Sequence, residues 1–154
     1  MCIIVREIKP EDAEGAAEVI KTARMGDGGW IRPWVENPKE GEQIFVAEKE
    51  GKIISFVYAI LKQPPYGFIP TVATHSDYRR LGAAAKTLGA ALAKAKEAGF
   101  AIVGLFTGRD NIAGQGLYKK LGFVPAHPLA MVYLINPLSI PLINELKAKR
   151  KTKK

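Results

Sequence analysis

Between residues 68 and 98 the chain passes from an apolar segment, Phe68-Ile69-Pro70-Thr71-Val72-Ala73-Thr74, through a glycine-marked turn, Arg79-Arg80-Leu81-Gly82-Ala83-Ala84, into an alanine-rich stretch that ends at Ala98. Strand, turn and helix in that order leave a row of unbonded backbone N–H groups at a helix N-terminus. Such a terminus attracts anions, phosphates above all. Gly82 removes a side chain where a ligand would press against the backbone, and Ala83, Ala84 and Ala85 keep the approach open. Arg79 and Arg80 add charge-assisted donors. The plainer reading is an ordinary turn and cap, and a second motif, Asn111 to Phe123, weighs against it.

The rest of the chain supplies a mixed sheet. Ile3 to Lys9 alternates as a strand does. Pro10-Glu11-Asp12 opens a helix at its favourable end, with Ala13, Ala16, Ala17, Ile20 and Ala23 on one face. Gly26-Asp27-Gly28-Gly29 breaks it, and Trp30 to Asn37 reads as a short helix interrupted by Pro33. Gln43–Glu48 and Lys52–Leu61 form strands around the turn Glu50-Gly51. Gln63 to Gly67 is a connection, and Phe68 to Thr74 is a strand that Pro70 should leave bulged or unpaired on one side. A helix from Arg80 or Leu81 to Glu97 is closed by Gly99. Phe100–Thr107 reads as a buried strand, Asn111–Lys120 as a helix closed by Gly122, and Phe123-Val124 and Leu129–Ile135 as strands. Pro137–Lys149 has the pattern of a last amphipathic helix. Helices alternating with strands and two hairpin-like pairs predict an α/β domain over residues 1–136, followed by a helix and basic tail over 137–154.

Charge narrows the function classes. The net charge is +8, but Lys147, Lys149, Arg150, Lys151, Lys153 and Lys154 supply six of the positives, which leaves +2 for residues 1–146. The excess is a terminal run, which is first of all a solvated end and second a contact for RNA or an acidic surface. No apolar run reaches about 18 residues, so no membrane span is expected. The N-terminus turns charged too soon for a signal peptide. The single cysteine, Cys2, reads as a small apolar residue near the chain start and permits no internal disulfide. These features fit the cytosol.

The second motif reads Asn111-Ile112-Ala113-Gly114-Gln115-Gly116-Leu117-Tyr118-Lys119-Lys120-Leu121-Gly122-Phe123. Asn111 and Tyr118 lie seven apart, about two helical turns, so both face one side. With both motifs in place the chain resembles the GNAT superfamily of acetyl-CoA-dependent N-acetyltransferases. The family's Gln/Arg-x-x-Gly-x-Gly/Ala motif is matched by Arg79, Gly82 and Ala84. Its later Asn, Leu-Tyr and Leu-Gly-Phe pattern is matched by Asn111, Leu117, Tyr118, Leu121, Gly122 and Phe123.

The resemblance implies a mostly antiparallel sheet of six or seven strands, splayed in the middle and flanked by about four helices. It also implies acetyl-CoA as co-substrate, no metal, and an amine acceptor, with homodimerisation left open. The pantetheine arm would bond to Val72, Ala73 and Thr74 as an added strand does. The pyrophosphate would sit on the N–H groups of Arg80, Leu81, Gly82, Ala83, Ala84 and Ala85 beside Arg79. Asn111 would touch the arm, and Tyr118 would protonate the departing thiolate.

The match has a gap. Many relatives carry a glutamate as base where this chain has Phe106, and the strand Phe68–Thr74 holds no carboxylate. Asp27, Glu36 and Asp110 are acids near the expected cleft, although solvent-facing positions suit them better. His75 is a relay candidate, though a satisfied loop histidine suits it better. Without a base, an α-amino acceptor near pKa 7.7–8.0 needs less help than a lysine near 10.4 (both approximate). The resemblance places acceptor contacts between Met25 and Gly41 and near Ala126-His127-Pro128, where Trp30 and Trp34 would line a pocket or cover the core. The main expectation is direct acetyl transfer to a primary amine. A non-catalytic acyl-CoA sensor is the alternative, and a nucleic-acid module acting through the tail is a third reading.

Overall fold

The computed structural model describes residues 2–127 and 130–135. Among them the order is β1 (Ile4–Glu7), α1 (Ala13–Thr22), α2 (Ile31–Glu36), β2 (Glu42–Lys49), β3 (Lys52–Gln63), β4 (Tyr66–Thr74), α3 (Ala83–Glu97), β5 (Ile102–Phe106), α4 (Ile112–Lys120), β6 (Val124–His127) and β7 (Ala130–Leu134). Single 3-10 turns at Pro10–Asp12 and Ser76–Tyr78 lead toward α1 and α3. The expected tail helix lies outside the described residues.

The strands form one sheet in the order β1-β2-β3-β4-β5-β7-β6, antiparallel except for β4 with β5. That parallel ladder is short. Tyr66, Gly67, Phe68 and Ile69 pair with Ile102, Val103, Gly104 and Leu105, and beyond Ile69 strand β4 keeps only β3. Pro70 stands where the strands part. It has no N–H to give to β5, so the ladder loses a donor at that point. On its other side Ile69 and Pro70 together face Ala59, a bulge between the Tyr58 and Ile60 pairings. The expected irregularity at Pro70 and the splay of the sheet therefore fall at one residue.

Two apolar layers hold the sheet. Leu88, Ala91, Leu92 and Ala95 of α3 pack with Val57, Ile69, Val103, Leu105, Tyr118 and Phe123 on one face. Ala13, Ala16, Val19 and Ile20 of α1 and Ile31 and Val35 of α2 pack with Ile44, Val46 and Phe56 on the other. The Arg6 guanidinium joins β1 to the turn before α1 and to β2, through Asp12 Oδ2 at 2.6 Å and Glu48 Oε2 at 2.8 Å.

Several boundaries differ from the sequence reading. Helix α3 starts at Ala83, not at Arg80 or Leu81, because Arg80 (φ 64°) and Gly82 (φ 79°) are left-handed and end any helical run before Ala83. Strands β3 and β4 reach to Gln63 and back to Tyr66, leaving only Pro64-Pro65 as the turn. Strand β5 starts later than Phe100 because the Phe100 N–H closes α3 on Ala95 O, and Ala101 bonds to the Pro65 carbonyl of the β3–β4 turn. Pro33 does not interrupt α2. It occupies the first turn, where its missing N–H would have no helical acceptor.

Candidate active site

The parting of β4 and β5 opens a cleft of about 1010 Å³. Pro70, Val72, Ala73 and Thr74 line one wall, and Leu105, Phe106 and Thr107 line the other. Arg79, Arg80, Gly82, Ala83, Ala84 and Ala85 close one end, and Asn111, Leu117 and Tyr118 of α4 border it. Of the residues expected to hold the cofactor or act on the thioester, all but Leu81 line the cleft. Its side chain is exposed, because the turn it occupies bulges into solvent.

The turn before α3 holds donors with nothing to bond. Lys86 N–H donates to Gly82 O at 3.1 Å, the first bond of the helix. The N–H groups of residues 80–85 reach no acceptor among the described residues. Gly82 has no side-chain cap to offer, and a Cβ built on it would meet nothing within 4 Å. What demands glycine here is therefore the backbone angle, and the space in front of it is open. The result is a concentration of positive partial charge facing a void.

Asn111 is the N-cap of α4. Its Oδ1 accepts from Gly114 N–H at 3.0 Å, and its Nδ2 donates to Thr107 Oγ1 at 3.2 Å. A Cβ on Gly114 would come within 2.7 Å of Asn111 Cγ, so the small residue lets the amide lie across the first turn. Gln115 Nε2 donates to Gly108 O and Arg109 O and ties the preceding loop to the helix.

The end of α4 fixes Tyr118. Phe123 N–H donates to Tyr118 O at 2.8 Å and Gly122 N–H to Lys119 O at 3.0 Å, with Gly122 at φ 103°. This is a Schellman closure, and its usual apolar contact is the ring pair Tyr118–Phe123 at 5.7 Å. The Leu-Gly-Phe end of the motif thus holds the tyrosine in place. Tyr118 is 6 % exposed, and burial raises its phenol pKa. No hydrogen bond engages the hydroxyl among the described residues, yet no side-chain oxygen is both sealed and unpartnered. The hydroxyl therefore meets the solvent of the cleft.

Among the described residues, no Asp, Glu or His lines this cleft. Phe106 is 69 % exposed there, its ring edge against Phe68 at 5.3 Å. Asp27 is exposed and accepts from Gly29 N–H, Glu36 is exposed beside Arg32, and Asp110 is exposed. His75 is buried, with Nδ1 accepting from Asp77 N–H at 3.1 Å, and caps the 3-10 turn that precedes the Arg79–Gly82 bend. Cys2 is exposed at the chain start.

A second cavity, of about 430 Å³, shares Pro70 with the cleft. Trp30 and Trp34 line it, as does a residue that sequence reading did not single out, Glu42. Glutamate at the start of a strand looks like a surface residue. Only the fold of α2 over β2 and β3 buries it, and no local sequence signal reports that packing. Of the other expected acceptor segment, Ala126 and His127 belong to β6, and Pro128 lies outside the described residues.

A profile of the acetyltransferase (GNAT) family matches residues 7–123. No match was found among curated proteins by sequence. Among solved structures, the chain is similar to the PaiA N-acetyltransferase of Thermoplasma acidophilum in complex with coenzyme A, at 18% identity over 87% of this chain and 99% of that one, with TM-score 0.70. It is also similar to the ribosomal-protein-S18-alanine N-acetyltransferase of Escherichia coli (19% identity, 88% and 95% covered, TM-score 0.74). An N-acetyltransferase from Staphylococcus aureus Mu50 superposes with TM-score 0.77 at 17% identity, covering 88% of this chain and 100% of that one. At these identities the likeness establishes the fold.

Proposed function

Because the chain belongs to the acetyltransferase (GNAT) family, we propose that it moves an acetyl group from acetyl-CoA to a primary amine by direct attack. The observation that carries this reading is the continuity of one cleft, from the unbonded N–H groups before α3 to the phenol of Tyr118. Its length and chemistry suit a long ligand with a phosphate at one end and a reacting group at the other. The diphosphate is held by the N–H groups of residues 80–85, with Arg79 and Arg80 adding charge. The pantetheine arm lies along the unpaired edge of Val72, Ala73 and Thr74, and Asn111 borders it. A backbone N–H of that edge stabilises the developing oxyanion.

Tyr118 donates a proton to the sulfur as the carbon–sulfur bond breaks. A thiol (pKa about 8.5) is a good leaving group, and the phenol, a weaker acid, assists by donating a hydrogen bond as charge develops on the sulfur. The amine loses its proton to water, because among the described residues no carboxylate or imidazole lines the cleft to take it. An amine that is partly neutral near pH 7 is the better acceptor, which favours an α-amino group or another amine of low pKa.

The exposed Phe106 wall motivates a second reading, a sensor that binds acyl-CoA without turnover. One pair of measurements separates the two. Calorimetry with coenzyme A tests the cleft, and CoA release from acetyl-CoA with a panel of primary amines tests the reaction. Binding with turnover is the expected result. Binding with no turnover of any amine favours the sensor, and no binding by folded protein removes both.

A further inference from the structure

The second cavity is built around a buried carboxylate. Glu42 has only 4% of its side chain exposed. Its Oε1 accepts from Trp34 Nε1 at 3.1 Å and from the Tyr58 hydroxyl, and its Oε2 pairs with Lys62 Nζ at 3.0 Å. Burial alone would raise the carboxyl pKa, but Lys62 and the Trp34 N–H outweigh it and hold the group below the ordinary carboxylate range, so it is an anion at neutral pH. Around it stand three rings set nearly perpendicular. Trp30 meets Tyr58 at 5.3 Å and 79°, and Trp34 meets Tyr58 at 6.2 Å and 81°. Trp30 is 41% exposed although it lies in an aromatic cluster.

Perpendicular aromatic faces with an anion at their base form an environment that attracts an alkylammonium ion. Two lysines are also close. Lys39 lines the cavity and Lys62 already pairs with the carboxylate. Lys62 has 54% of its side chain in solvent while Glu42 has 4%, so the lysine can swing away only where another ammonium takes its place on the buried carboxylate. The cavity adjoins the cleft through Pro70, the residue at which β4 and β5 part. A ligand that reaches the thioester from this side therefore passes the rings.

We propose that the acceptor is an amine with a second cationic group, and that this group docks among Trp30, Trp34 and Tyr58 against the Glu42 carboxylate while the other amine reacts. This rests on the amine-acetylating reading above, but its test does not depend on turnover. Trp30 and Trp34 are the chain's two tryptophans, so intrinsic tryptophan fluorescence reports on this cavity alone. The full-length protein without acetyl-CoA is titrated with 1,6-diaminohexane, hexan-1-ol and hexanoate. The diamine should give a saturable change at concentrations about tenfold lower than hexan-1-ol, and hexanoate should be weakest.

Glu42→Gln keeps an acceptor for Trp34 and Tyr58 but loses the charge, and should weaken the diamine response about tenfold. Lys62→Met frees the carboxylate and should strengthen it. In CoA-release assays the same two variants should move KM for the diamine in opposite directions, with kcat nearly unchanged. A diamine response equal to that of hexan-1-ol, or a shift of both variants in the same direction, overturns the proposal. A selective diamine response in a protein that acetylates no amine upholds the subsite and removes the transferase reading instead.

Discussion

Tyr118 combines near-complete burial of its ring with a hydroxyl that no hydrogen bond engages among the described residues. A general acid at the end of a cleft requires both. Tyr118→Phe keeps the ring contact with Phe123 and removes only the proton, so kcat should fall about a hundredfold or more while coenzyme A affinity stays the same. Stopped-flow or steady-state CoA release measures the first, and calorimetry the second. Because burial raises the phenol pKa above its ordinary 10.0, the proton-bearing form persists through pH 10 and no alkaline loss from this group is expected below that. The acid side of the pH profile should follow the acceptor, because no carboxylate or imidazole among the described residues lines the cleft. Across amines of different pKa the midpoint of kcat/KM should move with the amine, and a midpoint fixed near 6–7 for every amine would reveal an enzymic base instead (values approximate). Tyr118 and Asn111 were legible in the sequence because their spacing and flanking glycines form a pattern. Glu42 was not, because its burial depends on a helix packing over it from elsewhere in the chain.

Helix ends set the geometry at the next scale. Three helices close in the same way, with the N–H two residues past the cap bonded to the carbonyl five back: Met25 to Ile20, Phe100 to Ala95 and Phe123 to Tyr118. The residue between is Gly99 at φ 85° in α3 and Gly122 at φ 103° in α4, but Arg24 at φ 59° in α1. An arginine there carries a Cβ clash with its own carbonyl that glycine lacks. Arg24→Gly should therefore raise stability by about 1 kcal/mol, read as a higher denaturant midpoint at constant slope. The two glycine closures were visible in the sequence for this reason. The α1 closure was not, since arginine marks no turn and the nearby Gly26-Asp27-Gly28-Gly29 run drew the boundary later. The start of α3 was misread for the same reason, because Arg80 adopts a left-handed angle that its side chain does not advertise.

Across the whole molecule, two buried carboxylates tie separate elements together. Asp12 links the entry to α1 with β1 through Arg6, and Glu42 links β2 to α2 and β3. Burial opposes ionisation of Asp12, but Arg6 and the Lys9 N–H prevail and its folded pKa lies below the ordinary 3.8. Glu42 likewise lies below 4.5. A depressed folded pKa gives stability that is complete above the ordinary value and lost as pH falls through the folded one. Unfolding should therefore set in below pH about 4, and Asp12→Asn should cost about 2 kcal/mol at pH 7 yet flatten the acid dependence, followed by circular dichroism in urea at stepped pH. The order of strands and helices followed from the sequence pattern, whereas the place where the sheet divides followed only from the family resemblance, which puts the gap along Val72, Ala73 and Thr74. Pro70 announced an irregular strand, but which neighbour it would lose depends on β5, more than thirty residues away. The two halves of the sheet meet through only four residue pairs. Deuterium uptake should reveal that seam: the peptide spanning residues 70–74 should label fast in the free protein and become protected once coenzyme A occupies the gap, as if the ligand completed the weave that proline left open.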